Sequence, residues 1–172
     1  MNQKSAHHDF MTSWQEYQKT ITSENECFDF ARAGQTSRLI ESLHSLNSIN
    51  EKNLKGYSVL MLAAYNGHLD TTQKLISLGA DVNGIDLSGN SILMGVAFKG
   101  HSDIARTLIS AGASPNYTNA KSQNALQFAE MFSRREVIEI LKGSRLSRYQ
   151  MIAKTFKAWA IYLLQRRKRG HI

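Results

Sequence analysis

The sequence predicts an all-α solenoid of about four repeated helical hairpins, with a further helix at each end. Three observations carry this. A block of residues recurs at an offset of 33 without insertion, glycines punctuate the blocks at fixed places, and the apolar residues between them follow helical rather than alternating spacing.

The register is sharpest between Gly56-Tyr57-Ser58-Val59-Leu60-Met61-Leu62-Ala63-Ala64-Tyr65-Asn66-Gly67-His68 and the block from Gly89 to His101. It continues through Asp70/Asp103, Leu75/Leu108, Ile76/Ile109, Gly79/Gly112, Ala80/Ala113 and Asn83/Asn116. Upstream it decays through Ala31, Gly34, Leu43 and Asn50, and downstream through Leu126, Ala129, Glu136, Val137 and Leu141. The units are 20–50, 53–85, 86–118 and 119–142. Degraded outer units suit a solenoid, whose terminal repeats need a polar outer face.

Within a unit each element follows in turn. Ser58 and Ser91 stand where an N-cap belongs, just before the apolar run. Ala63, Ala64, Val96 and Ala97 are small enough for neighbouring helices to approach closely. Gly67 and Gly100 fall where the first helix must stop, and Gly79 and Gly112 where the second must. Leu75-Ile76 and Leu108-Ile109 supply the apolar face of the second helix. Ala80-Asp81-Val82-Asn83 and Ala113-Ser114-Pro115-Asn116 then lead into a β-turn.

These residues resemble the ankyrin repeat over about 120 of the 172 residues. Gly56, Leu60, Ala63, Ala64, Gly67, His68, Leu75, Ile76, Gly79, Ala80, Asp81, Val82 and Asn83 match the family pattern. The family's Thr-Pro-Leu-His signature reads Ser58-Val59-Leu60-Met61 and Ser91-Ile92-Leu93-Met94 here, which loosens the helix start without changing the fold.

The resemblance implies a non-enzymatic adaptor that binds a partner protein through its β-turn tips and the concave face of its inner helices. Carried over by register, the tips are Leu54, Lys55 and Tyr57, then Leu87, Ser88 and Asn90, then Ala120, Lys121 and Gln123. The concave positions are Tyr65 and Asn66, Phe98 and Lys99, Met131 and Phe132, with Tyr65, Phe98 and Met131 expected as one solvent-facing stripe. Aromatics grouped on such a surface are the usual material of binding hot spots. The segment Ile92–His101 also resembles small bacterial ankyrin proteins associated with catalase. That implies an alternative role in haem delivery, with His101 as the candidate ligand.

Motifs for chemistry are lacking: no glycine-rich phosphate loop, nucleophile elbow or paired-cysteine metal motif occurs. No catalytic, metal or cofactor residue is therefore assigned. His68 and His101 fall at the family's Gly-His turn, a structural position. Cys27, the single cysteine, takes the register position of Leu60 and is expected to be buried. A lone cysteine, no signal-peptide core behind Met1 and no stretch near the roughly 20 apolar residues of a membrane span make the cytoplasm the expected compartment.

Both ends differ from the repeats. Residues 8–21 read as a helix with Phe10, Met11, Trp14, Tyr17 and Ile21 on one side, and residues 1–22 are expected to cap repeat one. Ser23 and Glu26 form a capping box for the next helix, which opens a repeat domain over 23–142. Residues 1–139 hold 12 basic and 14 acidic side chains, whereas residues 140–172 hold nine basic and none acidic. The net charge of +7 is thus the property of a tail over 143–172. Its apolar run Ala158–Leu164 ends in Arg166-Arg167-Lys168-Arg169, a helix that caps the last repeat or meets an anionic membrane surface; nucleic acid is the weaker reading.

Overall fold

The computed structural model describes residues 26–143. Its helices are α1 (Glu26–Ala33), α2 (Thr36–Ser42), α3 (Val59–Tyr65), α4 (Leu69–Ser77), α5 (Ile92–Lys99), α6 (Ser102–Ser110), α7 (Ala125–Met131) and α8 over 135–143; a short 3-10 turn, Leu43–Ser45, follows α2. Odd-numbered helices stack on one another as an inner layer, and even-numbered helices flank them as an outer layer. This is the expected all-α repeat solenoid, built from four helical hairpins.

Named helices run only seven to nine residues. Isolated helices shorter than about 12–15 residues are marginal in water, so packing and caps must hold these. The caps are those anticipated: the Ser58 hydroxyl accepts the Met61 N–H at 3.2 Å and Ser91 accepts the Met94 N–H at 3.3 Å. Asn124 does the same for Gln127 at 3.1 Å, and the Gln127 side chain answers by accepting the Asn124 N–H at 2.8 Å.

The core is a continuous band between the two helix layers. All of α3 is buried, as is α5 apart from Lys99, because each inner helix is sandwiched between two others. Leu39, Leu75 and Leu108 close the band from the outer layer. Each such side chain contributes about 1.5–3 kcal/mol by leaving water. Cys27 is fully buried as expected, with its Sγ 2.9 Å from the Ser42 carbonyl.

Gly67 shows why the register demands glycine. Its φ of +85° lies in the left-handed region, and a Cβ there would stand 2.8 Å from the His101 ring. The spans 1–22 and most of 143–172, with the capping residue Ser23 and the Arg166–Arg169 cluster, lie outside the described residues.

Candidate functional site

Adjoining repeats are joined by a turn wound around one side chain. The Asn53 Oδ1 accepts the N–H of Lys55 at 3.1 Å and of Tyr57 at 3.0 Å. Asp86 accepts the Asn90 N–H at 2.8 Å, and Asn119 accepts those of Lys121 and Gln123 at 3.0 Å each. Asn and Asp favour turns because their side chains bond backbone a few residues onward. Single antiparallel bridges, Lys52 to Ser58 and Ile85 to Ser91, close the first two turns. The triad 53, 86 and 119 keeps the 33-residue spacing and precedes Gly56, Gly89 and Ser122 by three residues. That Asx-x-x-Gly pattern is the signal sequence reasoning passed over.

The turns project some of the expected tip residues and withdraw others. Leu54 and Leu87 are each 76% exposed, a full register apart. Ser88, Ala120 and Lys121 are exposed as well, while Lys55 and Gln123 are half-buried. Tyr57 and Asn90 correct the expectation, for both are buried. Each occupies the returning limb of its turn, so its side chain faces the stack. The Asn90 amide binds Asp86 Oδ2 at 3.3 Å and accepts from Asn119 Nδ2 at 2.9 Å, tying one turn to the next.

The concave stripe needs a larger correction. Tyr65 is 2% and Phe98 9% exposed, so neither faces solvent. Their rings stack at 6.4 Å between centroids with 5° between planes, and the Lys99 ammonium lies 5.1 Å from the Tyr65 centroid. Phe132, not Met131, continues the ladder: its ring meets Phe98 edge-on at 4.4 Å. Large rings on adjacent stacked helices gain more by packing together than by facing water, which reverses their assignment as solvent-facing. Asn66, Lys99, Met131 and Phe132 are half-buried, and the Asn66 amide donates to the Leu62 carbonyl at 2.8 Å.

Two titratable groups are perturbed. Burial pushes the Asp86 carboxyl above the usual carboxylate value, against the lowering effect of its bonds from Asn90 and Ser88 and of the Lys52 charge. Burial pushes the His101 imidazole below its usual value; the bond to the Tyr65 carbonyl opposes this, and the charges of Lys99, Arg134 and His68 add to it. His101 Nε2 lies 3.1 Å from that carbonyl.

Among the described residues no group of three or more His, Cys, Asp or Glu side chains is placed to hold a metal ion. A groove between α6 and α8 is lined by Arg106, Ile109, Ser110, Glu136, Glu139 and Ile140. Among the same residues no helix is long and apolar enough to cross a membrane.

Stacked helical hairpins joined by projecting turns define a repeat platform. The chain belongs to the ankyrin-repeat family: the family model for ankyrin repeats (three copies) matches residues 28–119 and 60–150. Repeats of this family are generally protein–protein interaction modules and typically non-enzymatic. A curated protein of Pseudomonas aeruginosa, whose name describes it as an ankyrin repeat protein, is 45% identical over 49 residues, which cover 28% of this chain and 29% of that relative.

Proposed function

We propose that this chain is a non-enzymatic adaptor that captures a partner protein on the row of turn tips bearing Leu54 and Leu87. The observation that carries the reading is that two leucines, each three-quarters exposed, recur in register on neighbouring turns. An isolated exposed leucine is ordinary, whereas apolar side chains repeated along one edge of a rigid platform offer a contiguous contact. Ser88, Ala120 and Lys121 extend the row at its polar margin. The turns are held by their own side-chain bonds, so little entropy is lost when a partner docks.

The test is co-purification of the full chain from its host, with and without the double substitution Leu54→Asp/Leu87→Asp, at matched thermal stability. Loss of a stoichiometric partner from the variant supports the reading. Retention of the same partner at wild-type yield removes the tips as the binding surface.

A further inference from the structure

Taking the turn tips as the docking edge proposed above, we infer that their partner is an acidic amphipathic helix, laid across the turns with apolar side chains seven residues apart. Leu54, Leu87 and Ala120 stand one register apart on three successive turns, and Lys55, Ser88 and Lys121 follow them as a second row. The first row is apolar and exposed; the second is cationic at both ends.

The three turns form one surface because each is braced to the next. Lys52 Nζ donates to the Ile85 carbonyl at 2.7 Å, and the Tyr117 hydroxyl donates to the Gly89 carbonyl at 3.1 Å. Leu87 packs against Gly56, so close that a Cβ there would stand 2.8 Å from the leucine Cγ. The side chain is thus held against the preceding turn while 76% of it faces solvent. Covering a side chain that is fixed and wet gains its burial with little further loss of entropy.

Spacing selects a helix over an extended segment. Neighbouring helices pack about 8–10 Å apart, and the turns they carry repeat at that spacing. A strand covers about 10 Å in three residues, which sends successive contacts to opposite faces. A helix covers about 10.5 Å in seven residues, two turns that return to the same face. Two repeats separate Lys55 from Lys121, about 16–20 Å, which a helix of about 11–14 residues spans.

Charge selects the sign of the partner. The turn residues 52–57, 85–90 and 118–123 hold Lys52, Lys55 and Lys121 and a single acid, Asp86. That acid is buried and bound to Asn90, so the charge these turns present outward is cationic. Glu51, just before the first turn, accepts from the backbone and side chain of Asn47 and so turns back toward the preceding loop. Residues 1–139 as a whole carry more acid than base, so the tips run against the average of their own domain. Carboxylates near the two ends of the partner helix meet the lysines at the rim, where charge steers encounter and fixes register.

The test is selection from a phage-displayed library of random peptides, each about 18 residues long, on the full chain. Because residues 144–172 carry eight Lys and Arg and no acid, the library is first depleted on the charge-neutral variant Leu54→Ser/Leu87→Ser. Enriched peptides should be acidic, should place apolar residues seven apart, and should gain helical circular dichroism when bound. Synthetic copies should bind a Lys55→Glu/Lys121→Glu variant of matched circular dichroism about tenfold more weakly, two exposed ion pairs being exchanged for repulsions, and should bind the wild type less well as salt rises. Peptides that need both leucines but carry no excess of Asp and Glu overturn the acidic helix and leave the tips standing as the docking edge. Peptides that bind without becoming helical, or no enrichment beyond the leucine variant, overturn it too, and co-purification then decides separately whether the tips dock a partner.

Discussion

The imidazole Nε2 of His101 sits 3.1 Å from the carbonyl oxygen of Tyr65, one repeat earlier and at the end of α3. A carbonyl only accepts, so Nε2 carries the proton and the ring pins one repeat to the next. The same tie recurs from His68 Nε2 to the Arg32 carbonyl at 2.8 Å, and in the last repeat Arg134 Nε donates to the Phe98 carbonyl at 3.0 Å. Its pH dependence follows from the lowered pKa of His101. The unfolded chain takes up the proton first, so this stability is complete above the ordinary value near 6.5 and is lost progressively as pH falls below it. Urea midpoints measured from pH 8 to pH 5 should decline on the acid side, and His101→Gln should flatten that decline. His101→Ala deprives the carbonyl of its cross-repeat donor and should cost about 1–3 kcal/mol at neutral pH.

Asp86 has the opposite sign. Its folded-state pKa is raised, so the native protein binds this proton more readily than the unfolded chain. The cost is absent while the carboxyl stays protonated and grows as pH rises from the ordinary 3.8 through the raised folded value. Asparagine holds the equivalent position at 53 and 119 and accepts the same kind of turn bond there. Asp86→Asn should therefore raise the melting temperature at pH 7, and the gain should vanish toward pH 3. Scanning calorimetry of the two proteins at both pH values checks it; a lower melting temperature at pH 7 would show that the carboxylate's bonds outweigh its desolvation.

Gly67 and Gly79 separate two physical reasons for a glycine. Both have positive φ, +85° and +88°, but a Cβ would collide with His101 only at Gly67 and would meet nothing within 4 Å at Gly79. Gly79→Ala should lose about 1–2 kcal/mol, the strain of a left-handed alanine. Gly67→Ala should lose that and more, because the imidazole must also leave the Tyr65 carbonyl. In a double-mutant cycle with His101→Ala, position 67 should show a coupling energy and position 79 none.

The architecture was legible because a solenoid repeats its physics. The serine caps, the left-handed glycines and the two-faced apolar pattern depend on neighbours a few residues away, and the 33-residue offset multiplies each signal. Where a side chain points across repeats was not legible. Tyr57 and Asn90 lie in turns, yet the turn's return directs them inward, and register alone does not encode that direction. Phe132 replaces Met131 in the ladder because the last repeat ends its inner helix with a bulkier ring one residue on, a shift of the contact that a fixed offset misses. The His-to-carbonyl ties span 36 residues and join adjacent units, so no single repeat displays them.

Burial also decides which substitutions report on binding. Tyr65→Ala and Phe98→Ala remove large side chains that are 2% and 9% exposed, and truncating a buried aromatic costs about 3–5 kcal/mol. Each should lower the urea midpoint sharply, and loss of a partner in either variant would report unfolding rather than a lost contact. Leu54→Asp and Leu87→Asp alter side chains that project from turns and should shift stability by no more than about 0.5 kcal/mol. Equilibrium unfolding of the four variants, followed by circular dichroism, should divide them into these two classes. If Leu87→Asp proves as destabilising as Phe98→Ala, Leu87 is packed in solution and the tip row is no docking edge. If Tyr65→Ala is silent, the inner-helix ladder opens readily, and its aromatics are accessible to a partner after all.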